Sequence, residues 1–194
     1  MIVGLTGGIA SGKSTVSNLF RKYGIEIVDA DKVAKEASEK KESIEKISNI
    51  FGKDILDSDG KIVREKLREK AFKNRELLQE LNKIIHPQVM EYFKRKKEEN
   101  SKDEILIFDI PLLYETKMEY LCDKIIVVGV DVQKQIRRVV ARDGSSEELA
   151  KKIIFNQMPL DEKIKKADIV IMNDGTLDEL EAKVMKIYRE LKER

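Results

Sequence analysis

The chain has no tryptophan, one cysteine, one histidine and three prolines in 194 residues. A lone cysteine, Cys122, excludes an internal disulfide framework, and with a single histidine it leaves no ligand set for a structural zinc. Cys122 is expected only to pack. No apolar run approaches the ~18 residues of a membrane span, and no signal-peptide pattern precedes the first strand-like run. The expectation is a cytoplasmic protein with no membrane partner. Neither sign of charge dominates: Lys and Arg number 38, Asp and Glu 36, and a net charge of +2 exerts no global pull on nucleic acid. No linker-like stretch divides the sequence, so one domain over 1–194 is expected, as a monomer or weak homo-oligomer.

What the chain does have is Gly7-Gly8-Ile9-Ala10-Ser11-Gly12-Lys13-Ser14-Thr15. Met1 to Thr6 ahead of it is a short apolar run fit for a buried strand, and Ser14 to Tyr23 has apolar residues at helical spacing. Strand, glycine-rich loop and helix in that order make a phosphate-binding loop. Gly7, Gly8 and Gly12 let the backbone wrap an anion and aim successive N–H groups at it. The helix N-terminus adds a positive dipole end, Lys13 a cation for the outer phosphates, and the Ser14 hydroxyl a ligand for Mg²⁺. A triphosphate site results.

Gly24 ends that helix, and Ile25 to Val28 reads as a second strand running into Asp29-Ala30-Asp31. Ligands of open parallel sheets bind beyond the carboxyl ends of the strands, so these carboxylates arrive at the edge that the phosphate loop occupies. Asp29 is either a phosphate-side carboxylate or a helix cap. From Lys32 to about Lys102 the apolar spacing is helical, with Asp57-Ser58-Asp59-Gly60 as a dividing turn. Within this stretch His86-Pro87 reads as a helix start, with proline in the first turn. Glu104 to Phe108 is a third buried strand that delivers Asp109, a carboxylate that either holds Mg²⁺ through water or caps a turn. Lys124 to Val130 and Asp168 to Met172 are the fourth and fifth strands, and Asp178 to Leu191 an amphipathic closing helix.

Between the last two strands the balance turns basic, with nine Lys and Arg against five Asp and Glu from Lys134 to Lys166. Arg138 and Arg142 stand four apart on one helix face, where they could clamp an anion, whereas Arg137 points elsewhere. This is where a lid would lie.

The ordered set of motifs resembles the dephospho-coenzyme A kinase family over nearly the full length. It runs from Leu5-Thr6 through the phosphate loop, Asp29-Ala30-Asp31, His86-Pro87 and Asp109-Ile110-Pro111-Leu112-Leu113-Tyr114-Glu115. It continues through Arg138, Arg142-Asp143, Gln157-Met158 and Ala167-Asp168 to Asn173-Asp174-Gly175. The resemblance implies an α/β, P-loop NTPase-type three-layer fold of the nucleoside-monophosphate-kinase kind with a five-stranded parallel sheet. The core would be about 1–30, 104–132 and 167–194, the helical substrate-binding insertion about 31–103 and the lid about 133–166. It also implies ATP-dependent phosphorylation of the ribose 3′-hydroxyl of dephospho-coenzyme A, with Mg²⁺.

By the same resemblance Asp31 is the base for that hydroxyl, and Lys13 and Arg138 neutralise the transferring phosphoryl group. ATP would lie on Gly8, Ile9, Ala10, Ser11, Gly12, Lys13, Ser14 and Thr15, with Arg142, Asn173 and Gly175 near the adenine. The acceptor would meet Asp31, Arg64, His86, Pro111 and Leu112, and the metal Ser14 and Asp109. Two departures stand out. The family often has arginine at the position of Lys35, and it commonly continues with a Pro-Gly turn where residues 38 to 43 here read Ser-Glu-Lys-Lys-Glu-Ser. Three rivals remain at this stage: another small-molecule kinase, a non-catalytic ATP sensor, and a GTP switch. The last lacks support, because the one Asn-Lys pair, Asn82-Lys83, falls inside a helical pattern.

Overall fold

A computed structural model describes residues 1–101 and 104–193. The chain divides into two compact units, one of Met1–Asp29 with Glu99–Arg194 and the other of Ala30–Glu98. The expected far boundary of the insertion, at 102–103, lies outside the described residues.

In the first unit, β1 (Ile2–Gly7) leads through the phosphate loop to α1 (Lys13–Lys22), and Gly24, left-handed at φ 84°, turns the chain into β2 (Glu26–Asp29). The second unit contains α2 (Ala30–Ser38), α3 (Lys41–Phe51), α4 (Arg64–Lys73) and α5 (Arg75–Glu99), the last reaching one residue into the first unit. The first unit resumes with β3 (Leu106–Asp109), β4 (Lys124–Gly129), α6 (Val132–Asp143), α7 (Glu147–Phe155), α8 (Leu160–Lys165), β5 (Ile169–Met172) and α9 (Leu177–Lys192).

The five strands form one parallel sheet in the order β2-β3-β1-β4-β5. Parallel strands covered on both faces need apolar residues on both sides, and β1 and β3 are buried along their whole length. Val3, Leu5, Ile107, Ile126, Val128 and Ile171 face one way, against Val16, Leu19 and Phe20 of α1 and Leu180, Val184 and Ile187 of α9. Across the sheet, α8 contacts β4 and a 3₁₀ turn at Glu119–Leu121 contacts β1. Order reverses around β1, which has β3 on one side and β4 on the other. The loop leaving β1 therefore opens at the crevice where an open sheet binds its ligand.

In the second unit the turn at 57–60 is a small hairpin. Leu56 and Ile62 bridge, and one Asp57 carboxylate oxygen accepts the N–H groups of Asp59 and Lys61 at 2.9 and 2.8 Å. The expected helix start at His86-Pro87 is not there. Both residues sit in the middle of a helix that runs from Arg75 to Glu99. Ile85, Val89 and Phe93 recur on one buried face at the spacing of a continuous helix. Pro87 cannot donate to the carbonyl four residues back. Beside it, the Gln88 side-chain amide donates to Ile84 O at 3.1 Å and to Ser43 Oγ at 2.8 Å, which ties α5 to α3.

Candidate active site

The phosphate loop is a backbone cradle held from outside. Gly12 caps α1 in the left-handed region at φ 91°, and Ala10 is left-handed at φ 57° although it carries a Cβ. Ser11 N–H closes the turn on Gly8 O at 3.1 Å. No side chain caps α1 and no acidic residue lies in its first turn, so its leading N–H groups are left for an anion.

Three side chains grip the loop's carbonyls. Gln135 Nε2 donates to Ile9 O at 2.8 Å. Arg138 Nη1 donates to Ala10 O and Ser11 O at 3.4 Å each, and its Nη2 to Asn173 O at 3.2 Å. Asn173 Nδ2 donates to Ser11 O at 2.8 Å. Arg138 thus reaches the loop, as its position in the sequence suggests. Asn173 is a brace beneath the loop, and a Cβ on Gly12 would run into its amide.

On the acidic side, β3 carries Asp109, level with Leu5 of β1 and with Asp29 of β2. Lys13 Nζ is ion-paired with Asp109, whose side chain is 5% exposed. Ser14, in the first turn of α1, is exposed. Hydroxyl and carboxylate oxygens suit a hard cation that keeps most of its waters. Among the described residues no three His, Cys, Asp or Glu side chains gather into a closed metal cage. Pro111 O, just past Asp109, accepts from Thr6 Oγ1 at 3.0 Å, which ties this turn to the strand that feeds the loop. The Leu112 side chain is exposed.

The other arginines behave differently. Arg142 forms a bidentate pair with Asp143 at 2.7 and 2.9 Å, which raises its already high pKa, so it and Arg138 engage separate partners. Arg137 is exposed. Gly175 sits under the Glu179 carboxylate in the turn where Thr176 and Glu179 form a capping box on α9.

The second unit has a cleft of about 640 Å³ that brings together Asp31, Arg64 and His86, with Lys35 and Arg68. Its wall is apolar, from Ile62, Leu67, Phe72, Leu78, Leu81 and Ile85. An apolar wall with a few basic groups fits a long, partly apolar, anionic ligand. Lys35, one of the two departures, lines this cleft, and in place of the missing Pro-Gly turn residues 39 and 40 link α2 to α3.

Sequence reasoning passed over Gln135, Arg68 and Lys163. Gln135 lies three residues before Arg138 and Arg68 four after Arg64, so helical spacing held the signal for both. Lys163 had none. It is fully buried inside a charged run, with its ammonium 2.8 Å from Glu115.

Known proteins resemble this chain over most of its length. A family model described as dephospho-CoA kinase matches residues 1–179. A dephospho-CoA kinase of Fusobacterium nucleatum is 50% identical over 184 residues, covering 95% of each chain. Among solved structures, dephospho-CoA kinase from Campylobacter jejuni superposes with a TM-score of 0.75 at 27% identity, over 100% of this chain and 98% of that one. The protein TT1252 from Thermus thermophilus superposes with a TM-score of 0.81 at 31% identity, over 98% and 97%.

Proposed function

The chain belongs to the dephospho-CoA kinase family, and from that membership we propose how its own residues carry out the last step of coenzyme A synthesis. ATP gives its γ-phosphoryl group to the ribose 3′-hydroxyl of dephospho-coenzyme A, leaving ADP. The phosphate loop from Gly8 to Thr15 holds the triphosphate through backbone N–H groups and the α1 N-terminus. Lys13 leaves Asp109 to follow the outer phosphates, and Arg138 offers its fork to the charge that builds as the phosphoryl group moves. Arg142, Asn173 and Gly175 flank the adenine side.

Ser14 and Asp109 are the residues that would hold Mg²⁺, which supplies charge neutralisation on the phosphates when bound. The cleft with Arg64 and His86 takes the acceptor, with Pro111 and Leu112 on the acceptor side as well. Asp31 accepts the hydroxyl proton. Phosphoryl transfer runs through a loose transition state, so Asp31 acts as much by orienting the hydroxyl as by basicity. Residues 133–166 form the lid that keeps water from the γ-phosphate. The protein works in the cytoplasm, as a monomer or weak homo-oligomer with no nucleic-acid partner; no described helix is long and apolar enough to cross a membrane.

The observation that carries this reading is the uncapped glycine loop whose lysine is paired to the strand-end Asp109. Incubation with ATP, Mg²⁺ and dephospho-coenzyme A should yield coenzyme A, identified by mass. Lys13→Ala should lower kcat/KM by about 10²-fold to 10³-fold, the range for losing one preorganised donor to transition-state charge. Turnover of a different acceptor in place of dephospho-coenzyme A would refute the assignment.

A further inference from the structure

Gln135 is 3% exposed, and its amide is spent on a single loop carbonyl, that of Ile9. That bond has a geometric consequence. In a planar trans peptide the carbonyl of one residue and the N–H of the next point in opposite directions. Holding Ile9 O toward α6 therefore turns the Ala10 N–H to the opposite side of the loop.

Arg138, one helical turn further along the same face of α6, holds Ala10 O. Both peptide planes that flank Ala10 are thus fixed by side chains of one helix. Ala10 is also the loop residue that needs such fixing. A left-handed alanine costs roughly 1–3 kcal/mol and persists only where its surroundings over-determine it. The Gln135 amide further occupies the space beside Gly8, where a Cβ would stand 2.7 Å from Nε2. Position 8 and position 135 are fitted to each other.

We propose that Gln135 is a positioning residue for the donor nucleotide: it locks the strained Ala10 peptides so that the loop's N–H groups are already turned toward the phosphates before ATP arrives. This rests on the reading of the loop as the ATP site. Its amide holds the loop's own backbone, so its effect should appear in the affinity for ATP alone.

The test is steady-state kinetics on the full chain with Gln135→Met, which keeps length and bulk but removes the donor. KM for ATP should rise about tenfold, the scale of one buried hydrogen bond. KM for dephospho-coenzyme A should not change, kcat should fall by less than about threefold, and Lys186→Met, at an exposed position of α9, should match the parent. An unchanged KM for ATP, or an equal rise in both KM values, overturns the proposal. Should Gln135→Met not fold, Gln135→Asn, whose amide is one methylene too short, takes its place. If that variant unfolds too, Gln135 is a structural group and the proposal is overturned. Lys13→Ala in parallel separates the two ideas: if ATP turnover survives it, the reading of the loop itself has failed, whatever Gln135 does.

Discussion

Asp31 and Tyr114 show how differently two residues of the recognised motifs serve the protein. Asp31 lines the cleft with Arg64 and His86, and in the role proposed for it Asp31→Asn removes a proton acceptor and keeps the shape. Turnover should fall about 10-fold to 100-fold, below the usual range for a general base because little proton transfer precedes phosphoryl migration. KM for ATP should stay close to that of the parent, and full-speed turnover would remove Asp31 from the mechanism. Tyr114 is 5% exposed, and among the described residues its hydroxyl has no hydrogen-bond partner. Burial, reinforced by the negative charges of Asp168 and Glu119, pushes its phenol up to about 12 from the ordinary 10.0. Between those values the unfolded chain has released a proton that the folded chain keeps, so stability falls as pH rises. Urea midpoints should drop between pH 10 and 12. Tyr114→Phe should lessen that drop and shift the pH 9 midpoint little, because the hydroxyl it deletes bonds to none of the described residues.

The elements carry a second pair that local sequence rules cannot see. Lys163 of α8 is fully buried against Glu115, and the same carboxylate accepts the Met158 N–H at 3.1 Å, fastening the segment between α7 and α8 to the turn after β3. Glu115 is 23% exposed and Lys163 not at all, so the two halves of the pair should respond unequally. Glu115→Ala strands a buried ammonium and should cost about 3 kcal/mol in urea unfolding. Lys163→Met leaves the remaining charge at a partly wetted position and should cost less; the reverse order would contradict this account. A lysine in Lys-Ile-Lys-Lys reads as solvated by composition, and only the tertiary partner, 48 positions earlier in the chain, reveals otherwise. His86-Pro87 failed for a similar reason. Proline in a first turn is a sound local rule, but the buried apolar face of α5 sustains the helix through it. Where context was local the reading succeeded. The loop, all five strands and the Asp57 turn are written in neighbouring residues, whereas the grip of Gln135 on Ile9 spans 126 positions.

For the whole molecule, the sequence displays the strands but not their order, since pairing of β1 with β3 and β4 is decided by crossovers. The two compact units make a prediction at this scale. Hydrogen exchange read by mass should show ATP slowing amides at 8–15 and along α6, and dephospho-coenzyme A slowing those at 62–86. Slowing of amides at 62–86 by ATP alone would contradict the division of labour.

The position of β1 in the middle of the sheet matters before any ligand is met. Of the five strands it is synthesised first, yet its partners begin only at Leu106 and Lys124. At roughly 5–20 residues per second, the apolar strand Ile2–Gly7 waits about 5–20 s for the first of them. The apolar strand is exposed for that interval, and slower translation of the codons between β1 and β3 should lengthen its exposure to aggregation.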